Sequence, residues 1–435
     1  MVCVHCRTLT NHYLIITDMK LSNIGQQLGR DAGIVSLMED LGDALNVNPN
    51  MLFLGGGNPA AIPAVERRLA AHLQAIVSDP QQVNKLLGVY QSPQGNETFI
   101  AALAKYLQKT QGWAITERNL AITNGSQSAF FLLFNLLAGR DTEDCERKIY
   151  LPLVPEYLGY RDQALSPDMF KSFRPEIELL GDHRFKYKID FNALTIKEDI
   201  AALCVSRPTN PTGNVLTDEE MQRLNALSCE HNVPLIVDCA YGAPFPGILY
   251  QPVNNVWQPN TIFVLSLSKL GLPGVRTGIV VAHEAIIEKL VCANTIVSLA
   301  NGNLGPMLGT KLLLEDNIDA LCQQTLLPYY EQKRKLMLEL IARYLVGHDY
   351  RIHASEGAFF LWLWFPSLTV TSEILYQHLK QRNVLVMAGE HFFFGLEEGW
   401  PHSRQCLRLN FCQSEAVMTE ALIILADELH RCRYR

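Results

Sequence analysis

The segment Ser266-Leu267-Ser268-Lys269-Leu270-Gly271-Leu272-Pro273-Gly274-Val275-Arg276-Thr277-Gly278 puts a lysine where an apolar run turns into a glycine-rich loop. A loop lysine is ordinarily a solvated charge. Its nitrogen attacks a carbonyl to give a Schiff base only where burial or neighbouring cations destabilise the ammonium. Ser266, Ser268 and Arg276 surround it in sequence. Two hydroxyls and a guanidinium can hold a phosphate dianion, and the glycines let backbone come close to it. The chemistry suggested is amine-to-carbonyl condensation beside a bound phosphate.

Other segments gain meaning beside this one. Pro234-Leu235-Ile236-Val237-Asp238-Cys239-Ala240-Tyr241 ends an apolar run on a carboxylate. Asp238 there can pair with a protonated ring nitrogen, so that the ring accepts electrons from a substrate carbanion; it can equally be a helix N-cap. Tyr241 can donate to a phenolic oxygen of the same ring or simply fill the core. Asn210, within Arg207-Pro208-Thr209-Asn210-Pro211-Thr212-Gly213, can reach that oxygen or make a plain Asn-Pro turn. Gly125, Ser126 and Gln127 join a strand to a helix, where free backbone amides bind phosphate; Ser126 can also be only a cap. Tyr157 can stack on a flat ring or lie in the core or at the surface. The turn Gly55-Gly56-Gly57-Asn58 can bring Gly57 and Asn58 backbone donors to a carboxylate, or be a turn and no more. In Cys406-Leu407-Arg408-Leu409-Asn410-Phe411 the alternation sets Arg408 and Asn410 on one face. An arginine there can face solvent, or its fork can grip an α-carboxylate.

The elements that must position these residues are legible as short apolar runs separated by helical patterns. Runs at 120–123, 148–153, 201–206, 234–238, 262–266 and 278–282 lack polar alternation, as strands buried on both faces of a parallel sheet do. Thr217-Asp218-Glu219-Glu220 reads as a capping box opening a helix. After about residue 305 the texture changes to long helices, broken near Pro328, with strand-like stretches at 357–365 and 406–411 and a final helix from Ser414. The expected division is an extension over 1–18, an N-terminal segment over 19–59 packing with the smaller domain, a large α/β domain over 60–305 and a small α+β domain over 306–435.

Composition agrees with an ordinary globular chain of 435 residues, 48% hydrophobic and 19% charged. A net charge of −7 and the lack of a basic stripe argue against nucleic acid as a partner. The longest apolar run, Ala358 to Phe365, is too short to span a membrane. The eleven cysteines are scattered, odd in number and often inside apolar runs, which suits reduced thiols in the cytoplasm. Cys3 and Cys6, with His5 and His12 nearby, have no second ligand pair, so no metal is expected. Residues 1–18 read as a disordered extension or as sequence upstream of a start at Met19.

Taken in order, Asn210 in Asn-Pro-Thr-Gly, Asp238 with Tyr241, Lys269 with Arg276, and Arg408 on a C-terminal strand resemble the motif series of the class I/II aminotransferases of pyridoxal-phosphate fold type I. The stretches LGGGNPA, ITNGSQSAFFLLFNL, VPEYLGY and CLRLNF extend the resemblance over about residues 19–435. It implies a large domain around a mostly parallel seven-stranded sheet, with pyridoxal 5'-phosphate on Lys269 and amino acids and 2-oxo acids as substrates. It also implies a homodimer in which Tyr90, of Tyr90-x-x-Pro93-x-Gly95, reaches the neighbour's cofactor phosphate. Alternatives on the same fold are a transaminase of other preference, a β-lyase, or a cofactor-sensing regulator, which needs a DNA-binding domain.

Overall fold

The uninterrupted apolar runs become the interior of one sheet. The computed structural model describes residues 20–30, 35, 48 and 50–433. The sequence features at Cys3, His5, Cys6, His12, 1–18 and Met19 lie outside these. In chain order the strands are β1 (Leu52–Phe53), β2 (Leu120–Thr123), β3 (Gly139–Arg140), β4 (Glu146–Leu151), β5 (Phe170–Ser172), β6 (Glu176–Leu179), β7 (Arg184–Lys188) and β8 (Ile200–Ser206). They continue as β9 (Leu235–Asp238), β10 (Thr261–Ser266), β11 (Gly278–Val281), β12 (Arg351–His353), β13 (Phe360–Trp364), β14 (Val384–Leu385), β15 (Met387–Ala388) and β16 (Cys406–Asn410).

The large sheet runs β2-β11-β10-β9-β8-β4, with β3 and β5 both pairing β4 at its edge. β8, β9 and β10 are fully buried along their lengths. Each of their aliphatic side chains contributes ~1.5–3 kcal/mol through burial. Neighbours are parallel except β11, which is antiparallel to both β10 and β2, and the two-residue β3. The expected seven strands are therefore joined by an eighth, the short β3. Because β2 and β10 both oppose β11, they run the same way as β4, β8 and β9. Their carboxyl ends thus meet at one edge. Register places Ser206 beside Asp238, Ser266 beside Gly278, and Gly278 beside Thr123. In an open α/β sheet this edge is where ligands bind.

Helices pack on the sheet. The helix Ser126–Leu137 lies against β10 and β11, and Asp218–Glu230 against β8 and β9. The latter opens with the expected capping box: Glu220 N–H donates to Thr217 Oγ at 3.1 Å and Thr217 N–H donates back to Glu220 Oε2 at 2.8 Å.

A second sheet, β15-β16-β13-β12-β7-β6, contains the two strand-like stretches near the C-terminus. It recruits β6 and β7 from far upstream in the chain. The N-terminal segment joins this part of the molecule too, since β1 pairs in parallel with β14. Leu54 then bridges two elements: its N–H donates to Leu385 O at 2.8 Å and its carbonyl accepts from Asn410 N–H at 2.7 Å. The expected helix break near Pro328 is not there. The chain is helical from Ile318 through Tyr344, and a π-helical stretch over Leu321–Leu326 directly precedes Pro328, shifting the hydrogen-bond register where its N–H is missing. The break falls at Glu315 to Asn317, whose Asn317 side chain caps the next turn.

Candidate active site

Three consecutive carbonyls of the Gly55–Gly57 turn organise the site. Gly57 O accepts from Lys269 Nζ at 2.6 Å, Gly56 O from Asn410 Nδ2 at 2.7 Å and Gly55 O from Arg408 Nη2 at 2.5 Å. It is carbonyl oxygens of this turn that meet the site's cations. Lys269 follows β10 on a short helical turn, with its ammonium 5.3 Å from the Tyr241 ring centre and 5.8 Å from that of Phe359. Burial, then the charges of Arg408 and Arg276, lower its pKa to about 8. A useful fraction of the amine is therefore neutral near pH 7, which an ordinary lysine is not.

Arg408 is buried, not solvent-facing, on β16. Its Nη1 donates to Asn210 Oδ1 at 2.7 Å, and its guanidinium lies 4.3 Å over Phe360 and 5.4 Å from Phe392. Arg408 and Asn410 share one face, as the alternation predicts. Burial lowers the Arg408 pKa to about 10, and its Nε–H is buried without a partner among the described residues. A buried fork with an orphan donor suits an added carboxylate.

Asp238 ends β9. Its Oδ2 accepts from Tyr160 Oη at 2.6 Å and its Oδ1 from Ala240 N–H at 2.8 Å. Burial raises its pKa; the Tyr160 and Ala240 donors and the Lys269 charge oppose this. Tyr241 is buried edge-on against Phe359 and Phe360. Tyr157 reaches Gln127 Oε1 at 3.3 Å and meets Tyr160 edge-to-face at 5.3 Å.

The glycines at the sheet edge form a cradle. Gly125 caps the helix Ser126–Leu137 at φ 91°, and a Cβ there would lie 2.2 Å from Arg276 Nη2. A Cβ on Gly278 would come within 2.5 Å of Ser126 N. The guanidinium and the free amides of a helix start thus face one space. Ser266 and Ser268 are buried beside it, Ser266 Oγ accepting from Ser268 N–H at 3.1 Å.

The structure therefore gathers Lys269, Asp238, Tyr241, Asn210, Arg408, Gly57, Tyr157, Gln127, Gly125, Ser126, Ser266, Ser268 and Arg276. Two sequence candidates stand apart: Asn58 is exposed and Tyr90 is 81% exposed at the surface. Tyr160 and Glu156 were not singled out by motif. Glu156 is buried: Ser206 N–H donates to its Oε1 at 2.8 Å, and its Oε2 shares a hydrogen bond of 2.6 Å with Ser206 Oγ. The available signal was Tyr160 standing three residues after Tyr157.

A sequence model of the family described as aminotransferase class I and II matches residues 68–425. The chain belongs to this family. It is 45% identical to the valine–pyruvate aminotransferase of Escherichia coli over 95% of this chain and 99% of that one. A crystal structure of a valine-pyruvate aminotransferase from Salmonella typhimurium, also 45% identical, superposes with a TM-score of 0.85 over 93% of this chain and all of the other. A putative amino-acid aminotransferase from Psychrobacter arcticum, 38% identical, reaches 0.92 over 96% of this chain and all of the other.

Aminotransferases of this fold use pyridoxal 5'-phosphate, and their substrates are amino acids and 2-oxo acids. The residues of this aminotransferase fit that cofactor: an amine of lowered pKa, a buried carboxylate at a strand end, and a glycine-lined guanidinium at a helix start. Among the described residues no helix is long and apolar enough to cross a membrane, and Cys145, Cys204, Cys229, Cys239, Cys292, Cys322, Cys406 and Cys412 are free thiols.

Proposed function

We propose that this aminotransferase exchanges the amino group between valine and pyruvate, giving 3-methyl-2-oxobutanoate and alanine. The observation that carries this reading is the environment of the two cations that would meet the substrate. Lys269 lies against Tyr241 and Phe359, and Arg408 against Phe360 and Phe392. Aromatic walls suit small uncharged side chains and disfavour a second carboxylate, which would be buried unpaired. The 45% identity to the Escherichia coli enzyme supports the same choice.

When bound, pyridoxal 5'-phosphate supplies a carbonyl that condenses with amines and a ring that accepts electrons. In this reading Lys269 Nζ holds the cofactor at rest and, once displaced, takes the proton from the substrate Cα as general base. Arg408 grips the α-carboxylate. Asp238 supplies a negative charge to the ring nitrogen, and Tyr241 and Asn210 orient the ring through its phenolic oxygen. Tyr157 covers the ring face. Gly125, Ser126, Gln127, Ser266, Ser268 and Arg276 hold the phosphate, while Gly57 borders the carboxylate. Of the segment 19–59, β1 acts with the small domain of 306–435, while Gln27 and Arg30 bond to Ala164 and Arg161; 60–305 form the cofactor domain except for β6 and β7, which join the smaller sheet. Leu87 at 80% exposed, Val89 at 51% and Tyr90 leave an apolar stretch in solvent. That supports a homodimer in which Tyr90 reaches the neighbour's phosphate. The unpaired thiols and metabolic substrates suit the cytoplasm.

The test compares acceptors on the pyridoxamine form of the enzyme: pyruvate, 3-methyl-2-oxobutanoate, 2-oxoglutarate and oxaloacetate. The first two should lead in kcat/KM. A clear preference for 2-oxoglutarate would show a second cation in the pocket and overturn the assignment.

A further inference from the structure

Behind Asp238 lies a second buried carboxyl that the reaction as described does not use. Glu156 is fully buried, and three donors or potential donors converge on it. Ser206 N–H is 2.8 Å from Oε1, Ser206 Oγ is 2.6 Å from Oε2, and Tyr157 N–H is 3.2 Å from Oε2. Ser206 Oγ is in turn 3.3 Å from Tyr160 Oη, which donates to Asp238 Oδ2 at 2.6 Å. The four groups form one chain, Glu156–Ser206–Tyr160–Asp238, all of it buried.

Counting hydrogens decides its direction. Tyr160 has one hydroxyl proton and spends it on Asp238. If Glu156 is ionised, Ser206 must turn its only proton to Glu156, and the Ser206–Tyr160 contact then holds two oxygens with no proton between them. If Glu156 carries a proton, every contact is satisfied: Glu156 donates to Ser206, Ser206 to Tyr160, and Tyr160 to Asp238, while Oε1 still accepts from the Ser206 amide. We propose that Glu156 is a positioning residue held as the neutral acid, the first donor of a chain that ends on Asp238 and keeps the negative charge there.

Charge placement supports this. Two carboxylates buried this close do not both ionise readily. Burial, then the Asp238 charge, raise Glu156 to about 8 against the Ser206 and Tyr157 donors. Asp238 has Lys269 to favour its ionised form. The other titratable groups around the chain are Tyr157, itself influenced by Arg408 and Arg276, and Cys204, a buried thiol influenced by both carboxyls. The value of Asp238 as counter-charge rests on the proposed function; the protonation of Glu156 does not.

The experiment reads both levels. Infrared difference spectra of ligand-free wild-type protein against Glu156→Gln, near neutral pH, should show a protonated-carboxyl band that shifts in D2O and is lost in the variant. Glutamine offers the same pattern, its amide donating to Ser206 Oγ and its oxygen accepting from Ser206 N–H. Glu156→Gln should therefore keep cofactor affinity and kcat within about threefold, while Glu156→Ala loses about tenfold in each, the size of one hydrogen bond. Tyr160→Phe, which removes the donor to Asp238 and frees Ser206 to donate to Glu156, should weaken cofactor binding about tenfold. If Glu156→Ala does not fold, the band and the Tyr160→Phe binding constant still decide. A missing band, a Glu156→Gln variant as damaged as Glu156→Ala, or normal cofactor binding by Tyr160→Phe each overturns the proposal.

Discussion

Replacing Arg408 by lysine keeps a positive charge and removes the fork. The guanidinium spans two acceptors, Asn210 Oδ1 at 2.7 Å and Gly55 O at 2.5 Å, while lying 4.3 Å over the Phe360 ring. An ammonium is a point donor and cannot reproduce that planar grip. A substrate carboxylate should then lose one charge-assisted hydrogen bond, ~1.5–3 kcal/mol. That is roughly ten- to 150-fold in kcat/KM. The assay is the single-turnover half-reaction with valine, followed by cofactor absorbance, beside isobutylamine, which has the same side chain and no carboxylate. The loss should appear with valine and be absent with the amine. The charge retained at 408 should leave the Lys269 titration near about 8. Arg408→Met removes a repelling charge and should raise it. Normal kcat/KM for valine in the lysine variant, or equal losses for both substrates, would refute the carboxylate clamp.

Six further outcomes follow from the same geometry. Borohydride reduction of the loaded enzyme and peptide mapping should label Lys269. Cofactor capture by ligand-free protein should speed up as pH rises through about 8, where the amine becomes neutral; a rate flat across that range counts against Lys269. Folding disfavours the charged form of Lys269, so ligand-free stability should rise between about 8 and the ordinary lysine range, as urea titration would detect. Asp238→Ala should retain some cofactor yet lose about two to three orders of magnitude in half-reaction rate, the scale of breaking a buried charge pair; nearly normal rates would sink the counter-charge role. Gly125→Ala, strained at φ 91° and colliding with Arg276, should weaken cofactor binding at least about tenfold by equilibrium dialysis. Mixing Lys269→Ala with Tyr90→Phe should restore part of the activity, since one site of each heterodimer has both residues; a monomeric active enzyme rules this out.

The central strands were readable because their residues serve one purpose. β8, β9 and β10 are buried throughout, so their apolar runs carry no competing signal. β7 was hidden because it alternates charge with bulk as Arg184-Phe185-Lys186-Tyr187-Lys188, and its Lys186 is buried only because Glu356, 170 residues away, pairs with it at 2.6 Å. Pro328 does not break its helix because the π-helical stretch Leu321–Leu326 just before it shifts the hydrogen-bond register, which local spacing does not reveal. Lys269, Asp238 and Arg408 could be picked out from motif order. Tyr160 and Glu156 could not, since their meaning lies in contacts 78 and 50 residues distant in the chain. Local spacing carries the residues that touch ligand more readily than those that hold them.

The Gly55–Gly57 turn is a shared anchor. Its three successive carbonyls hold Arg408, Asn410 and Lys269, so the groups from β16 and from the turn after β10 take their positions from one short segment. A Cβ on Gly55 would stand 2.9 Å from Val386 O, and one on Gly56 2.2 Å from the Phe53 ring. No side chain can be inserted at these two positions without shifting a neighbour.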